Sequence, residues 1–229
     1  MFIETKRLIL RPFTMEDASD VFEYLNEPLV NCFACMKLNT IEEAIELMDE
    51  RSKDKEYTFA IVLKENNKVI GEINAHPEST SPEQNSTLDT FSPCWMLNKD
   101  YQGKGYAYEA AYAFFDYLFN QKGARRIYAY TEDYNIPSQK LCKKLGMRQE
   151  GLFKEFVSFV NDDKGNPIYE NTIQWAILKK EWLSKSFNVK KWLIVPYSYI
   201  KDRYRSSYKF FEICRSSREI SFSQRGSIF

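Results

Sequence analysis

Gly103 and Gly105 stand two apart in Tyr101-Gln102-Gly103-Lys104-Gly105-Tyr106-Ala107, with the apolar Trp95-Met96-Leu97 before them and an amphipathic run behind. A backbone without Cβ atoms at both positions can approach an anion closely and expose consecutive N–H groups to it. Ala107, Ala110, Ala111, Phe114, Phe115, Leu118 and Phe119 then recur at three- and four-residue spacing, and Gly123 follows as a stop, which predicts a helix. The start of that helix adds unpaired N–H groups and a partial positive charge. The pattern predicts a pyrophosphate cradle on a helix N-terminus, although a plain strand-to-helix turn would use the same glycines. The chain has no Gly-x-x-x-x-Gly-Lys-Ser/Thr and no Gly-x-Gly-x-x-Gly, which disfavours a nucleotide triphosphatase or a dinucleotide fold.

The elements around the cradle follow from periodicity and turn chemistry. Phe2 to Pro12 alternates around Leu8 and Leu10 as a strand, and Thr14 with Asp17 outlines a capping box before the helical spacing of Ala18, Val21, Phe22 and Leu25. A second helix opens at Thr40. Tyr57–Leu63 and Val69–Ala75 form a hairpin, and 77–92, rich in Ser, Thr, Pro and Asn, reads as an exposed excursion. Phe91–Leu97 is the strand leading into the cradle and Arg125–Thr131 the next strand. A helix from Pro137 to Leu145 is capped by Asn135 and stopped by Gly146, and a last hairpin joins Leu152–Val160 to Ile168–Leu178. The expected class is mixed α/β with the order β-α-α-β-β-β-α-β-α-β-β.

Gln102-Gly103-Lys104-Gly105-Tyr106-Ala107 resembles the Gln/Arg-x-x-Gly-x-Gly/Ala signature of the GNAT superfamily of acyl-CoA N-acyltransferases. Asn135-Ile136-Pro137-Ser138, Leu141 to Met147 with Lys144-Leu145-Gly146, Glu150-Gly151, and the opening Glu4 to Pro12 are similar to the branch that acetylates N-terminal amines of ribosomal proteins. The resemblance runs from about Phe2 to Leu183. It implies a central mixed sheet of about seven strands that splays between the fourth and the fifth, with acetyl-CoA as cosubstrate in the gap. The acceptor it implies is a primary amine of a protein N-terminus, with a polyamine, amino acid or aminoglycoside as the alternative and a non-catalytic acyl-CoA-binding module as a rival. On this resemblance Trp95, Met96 and Leu97 would lie along the pantetheine, the Leu97 or Met96 N–H would face the thioester carbonyl, Gln102 to Ala107 would hold the pyrophosphate, and Asn135 and Ser138 would border the same cleft. Asn31 to Leu38, with Phe33 and Met36, would line the acceptor pocket.

Acetyl transfer to an amine needs a base for the attacking nitrogen, a donor for the oxyanion and a proton for the departing thiolate. Many relatives place a Glu two residues before a Gly-Tyr pair on the central strand. Here Ser92 takes the Glu position and Cys94-Trp95 the pair, so Glu72 is the first choice of base, with Asp89, Glu170 and the single histidine, His76, behind it. Many relatives also use a Tyr as acid where this chain has Cys142. Ser138, one helical turn earlier, is the alternative, and its hydroxyl would equally suit the first turn of its own helix.

The 229 residues carry a formal net charge of zero, which gives no global attraction to nucleic acid or to an acidic membrane. The charge is uneven: 186–229 hold nine Lys/Arg against three Asp/Glu, a net of +6, leaving −6 for 1–185. A domain over 1–185 and a basic, aromatic extension over 186–229 are expected, the latter packing on its own body or serving as a dimer arm. No signal peptide or run of roughly 20 apolar residues is visible, and five cysteines with one CxxC (Cys32, Cys35) read as cytosolic thiols rather than a metal site. A cytoplasmic, metal-free enzyme is expected.

Overall fold

A computed structural model describes residues 2–79 and 88–190. The strand Thr58–Leu63 is buried along nearly its whole length, which a strand tolerates only where helices cover both faces of its sheet. Its side chains divide by parity: Phe59, Ile61 and Leu63 enter one core, Ala60 and Val62 the other. Eight strands make one sheet: β1 (Ile3–Glu4), β2 (Leu8–Arg11), β3 (Thr58–Leu63), β4 (Val69–Glu78), β5 (Thr90–Leu97), β6 (Arg126–Glu132), β7 (Arg148–Asn161) and β8 (Pro167–Leu178). Their spatial order is β1-β2-β3-β4-β5-β6-β8-β7. All neighbours are antiparallel except β5 and β6. The first expected strand is in fact two, paired across a turn at 5–7, which brings the count to eight.

Helices α1 (Ala18–Leu25) and α2 (Ile41–Arg51) pack on one face, where Val21, Leu25, Ala44 and Met48 meet Ala60, Val62, Val69 and Met96. Helices α3 (Tyr106–Asn120) and α4 (Ile136–Leu145) contribute to the core of the other face through residues such as Phe114, Phe115, Leu141 and Leu145. The caps fall where the sequence puts them. Asp17 accepts from the Thr14 N–H at 2.8 Å, Asn135 accepts from Ser138 N at 3.3 Å, and Gly146 closes α4 at φ +79°.

The expected excursion over 77–92 is shorter than its composition suggests. β4 runs on through Pro77 and Glu78 and β5 begins at Thr90, because the pairing continues in unbroken register from Gly71↔Leu97 to Glu78↔Thr90. Met1–Trp182 is one compact unit. The helix α5 (Lys179–Lys190) begins inside it, and Trp182 stacks on α3 with its ring 4.7 Å from Tyr112 and 5.7 Å from Phe119. A second unit takes in Leu183–Phe229. The expectations for the extension from Trp192 onward lie outside the described residues. Among those described, no helix is long and apolar enough to cross a membrane, and no cluster of His, Cys, Asp or Glu is placed to hold a metal ion.

Candidate active site

β5 and β6 are paired only at Thr90↔Arg126 and Phe91↔Ile127, and beyond Phe91 they part. Peptide groups of a strand point alternately to its two neighbours. Asn98 N donates to Ile70 O at 2.8 Å, on the β4 side, so in unbroken register Met96 and Cys94 turn that way as well. The N–H groups of Trp95 and Leu97 therefore face the gap. Pro93, which has no N–H, occupies the same open edge, where it costs the β4 ladder no hydrogen bond. Of the two N–H groups expected to meet the thioester carbonyl, that of Leu97 faces the gap and that of Met96 is turned to β4. Close packing of β4 fixes this edge, since a Cβ on Gly71 would lie 2.3 Å from Met96 O.

At the C-terminal end of β5 the chain makes a short 3₁₀ turn and enters the cradle. Gly103 and Gly105 have φ of +73° and +83°, and Gly105 is the N-cap of α3. A Cβ at Gly103 would meet nothing within 4 Å and one at Gly105 only Arg7 Nη2 at 3.5 Å, so the backbone here faces open space. Arg7, which sequence reasoning missed, ties the cradle to the turn that precedes β2. Its Nε pairs with Glu109 Oε2 at 2.7 Å, Nη1 donates to Lys104 O at 3.0 Å, and the guanidinium lies 4.3 Å above the Tyr106 ring. Burial tends to raise the Glu109 pKa, but hydrogen bonds from Thr5 and Arg7 outweigh it and hold the carboxyl below its usual range. Lys104 is the one expected cradle residue that does not line the cleft; its Nζ donates to Asp100 O at 2.9 Å.

The gap opens into two cavities. The larger, of 760 Å³, is lined by Trp95, Met96, Leu97, Gln102, Gly103, Gly105, Tyr106, Ala107, Asn135 and Ser138, together with the C-terminal half of α1. The smaller, of 370 Å³, lies between β5, β6, β7 and the 3₁₀ turn Asn31–Met36, and takes in Cys32, Phe33 and Met36 from the segment expected to border the acceptor. Phe33, Trp95, Asn135 and Ser138 border both cavities. Trp95 Nε1 donates to Ser138 Oγ at 3.0 Å, so the Ser138 hydroxyl keeps its own proton to give.

The structure separates the proposed acids and bases. Glu72, expected as base, lines neither cavity. It is buried in an ion pair with Arg51 and accepts from Tyr24 Oη at 2.9 Å, beneath α1 and α2. Glu72 pairs with Met96 on the α1–α2 face; Met96 and Tyr24 border the larger cavity, and Glu72 is held behind them by Arg51. Cys142, expected as an alternative acid, is fully buried under α4 and borders neither cavity; burial pushes its thiol up to about 12. Asp89 is paired with Arg125 at 2.7 Å at the far end of β5. Glu170 accepts from Asn31 Nδ2 at 2.5 Å and from Tyr134 Oη at 3.2 Å. His76 is exposed on β4 opposite Ser92.

The carboxylate in the smaller cavity is Glu132, at the end of β6 and 5% exposed. Asn135 Nδ2 donates to it at 3.0 Å, and the Cys32 thiol lies near enough to be affected by its charge. Burial, then the neighbouring Glu132, push the Cys32 thiol far up; Cys94 is exposed on the same cavity, and its thiol is raised by desolvation and by the negative charges of Glu72 and Glu132. Both thiols are therefore neutral, and neither has the thiolate character of a nucleophile.

Residues 7–148 match the family model described as "Acetyltransferase (GNAT) domain". The chain belongs to the GNAT acetyltransferases. It is 34% identical over 182 residues to the uncharacterised N-acetyltransferase YnaD of Bacillus subtilis strain 168, covering 80% of this chain and 99% of that one. The crystal structure of a GNAT-family acetyltransferase from Bacillus anthracis superposes with a TM-score of 0.68 at 30% identity, over 79% of this chain and 100% of that one. A ribosomal-protein-S5-alanine acetyltransferase from Vibrio fischeri shares the fold at a TM-score of 0.59 and 22% identity, over 80% and 98% of the two chains. The glycine cradle, the open edge of β5 and the cleft between β5 and β6 fit acetyl-CoA, and this GNAT enzyme is an acetyltransferase.

Proposed function

We propose that this GNAT enzyme moves an acetyl group directly from acetyl-CoA in the larger cleft to a primary amine in the smaller cavity. The observation that carries the reading is the meeting of the two cavities at Trp95 and Ser138, beside a buried carboxylate and the open edge of β5. Acetyl-CoA supplies a thioester-activated acyl group. Gly103, Gly105 and the start of α3 hold its pyrophosphate, and the Leu97 N–H stabilises charge on the carbonyl oxygen. Glu132 takes the proton that the amine must lose before its nitrogen forms the new C–N bond. As the C–S bond breaks, Ser138 gives a proton to the sulfur and is replenished by solvent. Asn135 positions Glu132 from the same helix cap that places Ser138.

The amine belongs to a protein N-terminus, as the Asn135-to-Ser138 and Lys144-Leu145-Gly146 resemblance suggests, or to a small molecule. Steady-state kinetics of Glu132→Gln and Ser138→Ala test the mechanism. Each should lower kcat by ~10²–10⁴-fold with little change in KM for acetyl-CoA. Losses under about threefold in both would overturn these assignments and leave positioning alone to carry the rate.

A further inference from the structure

The smaller cavity carries an unusual combination of groups. Its walls include five aromatic side chains, Phe33, Trp95, Tyr130, Phe156 and Phe159, and a single carboxylate, Glu132; no Lys, Arg or His lines it. The rings are mutually supported, with Tyr130 and Phe156 at 6.0 Å. Glu170, the nearby second acid, is engaged by Asn31 and Tyr134 and is not among the lining residues.

Building on the acetyl-transfer reading, we infer that the acceptor is a small primary amine with one positive charge and an apolar, preferably aromatic, body. The ammonium group pairs with Glu132 at the thioester end, and a flat ring stacks among Phe156, Phe159 and Tyr130. The charge pattern excludes the neighbouring classes. The α-carboxylate of a free amino acid would enter a cavity whose lining has no cation to receive it and would face the negative charge of Glu132 at close range. The second and third ammonium groups of a polyamine would find no further carboxylate on the wall. The amides of a peptide N-terminus would lie against ring faces and lose hydrogen bonds to water. The 370 Å³ volume is at the small end of the range for ligand sites, which suits a molecule of this size.

A matched pair tests the charge argument, because phenethylamine and L-phenylalanine differ only by the α-carboxylate. With the full-length enzyme and acetyl-CoA, release of free CoA thiol should give kcat/KM for phenethylamine on the order of 10²-fold above phenylalanine. Phenethylamine should also exceed spermidine and an alanine-initiated peptide. Phe156→Ala, at a half-exposed position that the fold does not need, should raise KM for phenethylamine several-fold while leaving KM for acetyl-CoA unchanged. Equal or better turnover of phenylalanine, spermidine or the peptide overturns the inference and leaves acetyl transfer standing. Binding of phenethylamine to the CoA-loaded enzyme, followed by calorimetry, separates the two readings. If no amine is acetylated but phenethylamine binds and phenylalanine does not, the cavity assignment holds and the transfer reading falls. If neither binds, the assignment is wrong.

Discussion

A side chain at Gly105 would meet only Arg7 Nη2, at 3.5 Å, so crowding by the protein does not demand glycine there. The φ of +83° does, since an L-residue in that region costs roughly 1–2 kcal/mol, and the branches of a valine would project into the space proposed for the pyrophosphate. Gly105→Val should weaken CoA binding by calorimetry at least about tenfold while the circular dichroism spectrum stays native; unchanged affinity would remove the pyrophosphate assignment. Glu72 and Glu132 make a second contrast. Both are buried, but Glu72 neutralises Arg51 whereas Glu132 borders a cavity. Glu72→Gln leaves Arg51 buried without its partner and should cost about 3–5 kcal/mol of stability in denaturant unfolding. Its kcat should stay within about threefold of the parent under conditions where it is folded; a hundredfold loss would return the base to Glu72. The buried, raised thiol at Cys142 predicts that iodoacetamide at pH 8 leaves it unmodified in the native enzyme, which peptide mass mapping would check.

Between elements, the ion pair of Arg7 with Glu109 joins the turn before β2 to the first turn of α3, beside the cradle. The folded Glu109 pKa is depressed, so the stability it contributes is complete above the ordinary value of 4.5 and is lost as pH falls through the folded value. Glu109→Gln should therefore lower stability at pH 7 and reduce the loss between pH 5 and the acid limb, as followed by urea midpoints across that range. If the parent and variant curves stay parallel below pH 5, the pair does not act as a unit. The same variant should weaken CoA binding a few-fold, because α3 would no longer be anchored at its first turn. The gap between β5 and β6 is likewise a property of elements. Two residue pairs start the parallel ladder, β6 then continues with β8 from Arg126↔Leu178 to Glu132↔Thr172, and β5 continues with β4, so each strand is satisfied on its outer side and free on its inner one.

At the scale of the molecule, every residue bordering the two cavities lies between Glu23 and Thr172. Trp182 closes the compact unit by packing on α3. A chain ending at residue 190 should then bind CoA with the affinity of the full-length protein and keep its turnover of a given amine within about twofold. A larger loss would assign part of the site to the extension. Zero formal charge over the chain with eight Lys/Arg against three Asp/Glu in 191–229, a net of +5, also predicts that the truncated protein migrates as the more acidic species on isoelectric focusing.

The sequence by itself determined whatever depends on neighbours along the chain. The 3.6-residue spacing of α3, the Asn135 cap with its Gly146 stop, and the paired glycines of the cradle are each specified within a few residues, because helix periodicity and positive φ are local properties. Strand parity was also partly legible, with Tyr128 and Tyr130 alternating against Ile127 and Ala129. The expected strand stopped at Thr131, however, and so passed over Glu132, the next position on the cavity side. Only the tertiary structure decided which acid meets which base. Glu72 finds Arg51 and Tyr24, Trp95 finds Ser138 43 residues away, and Arg7 finds Glu109 102 residues away. Such partners are set by sheet register and by which face a strand residue takes, and a shift of one residue reverses that face. Nothing in the local pattern around Glu72 records that Arg51 and Tyr24 engage it, nor around Cys142 that it is fully buried.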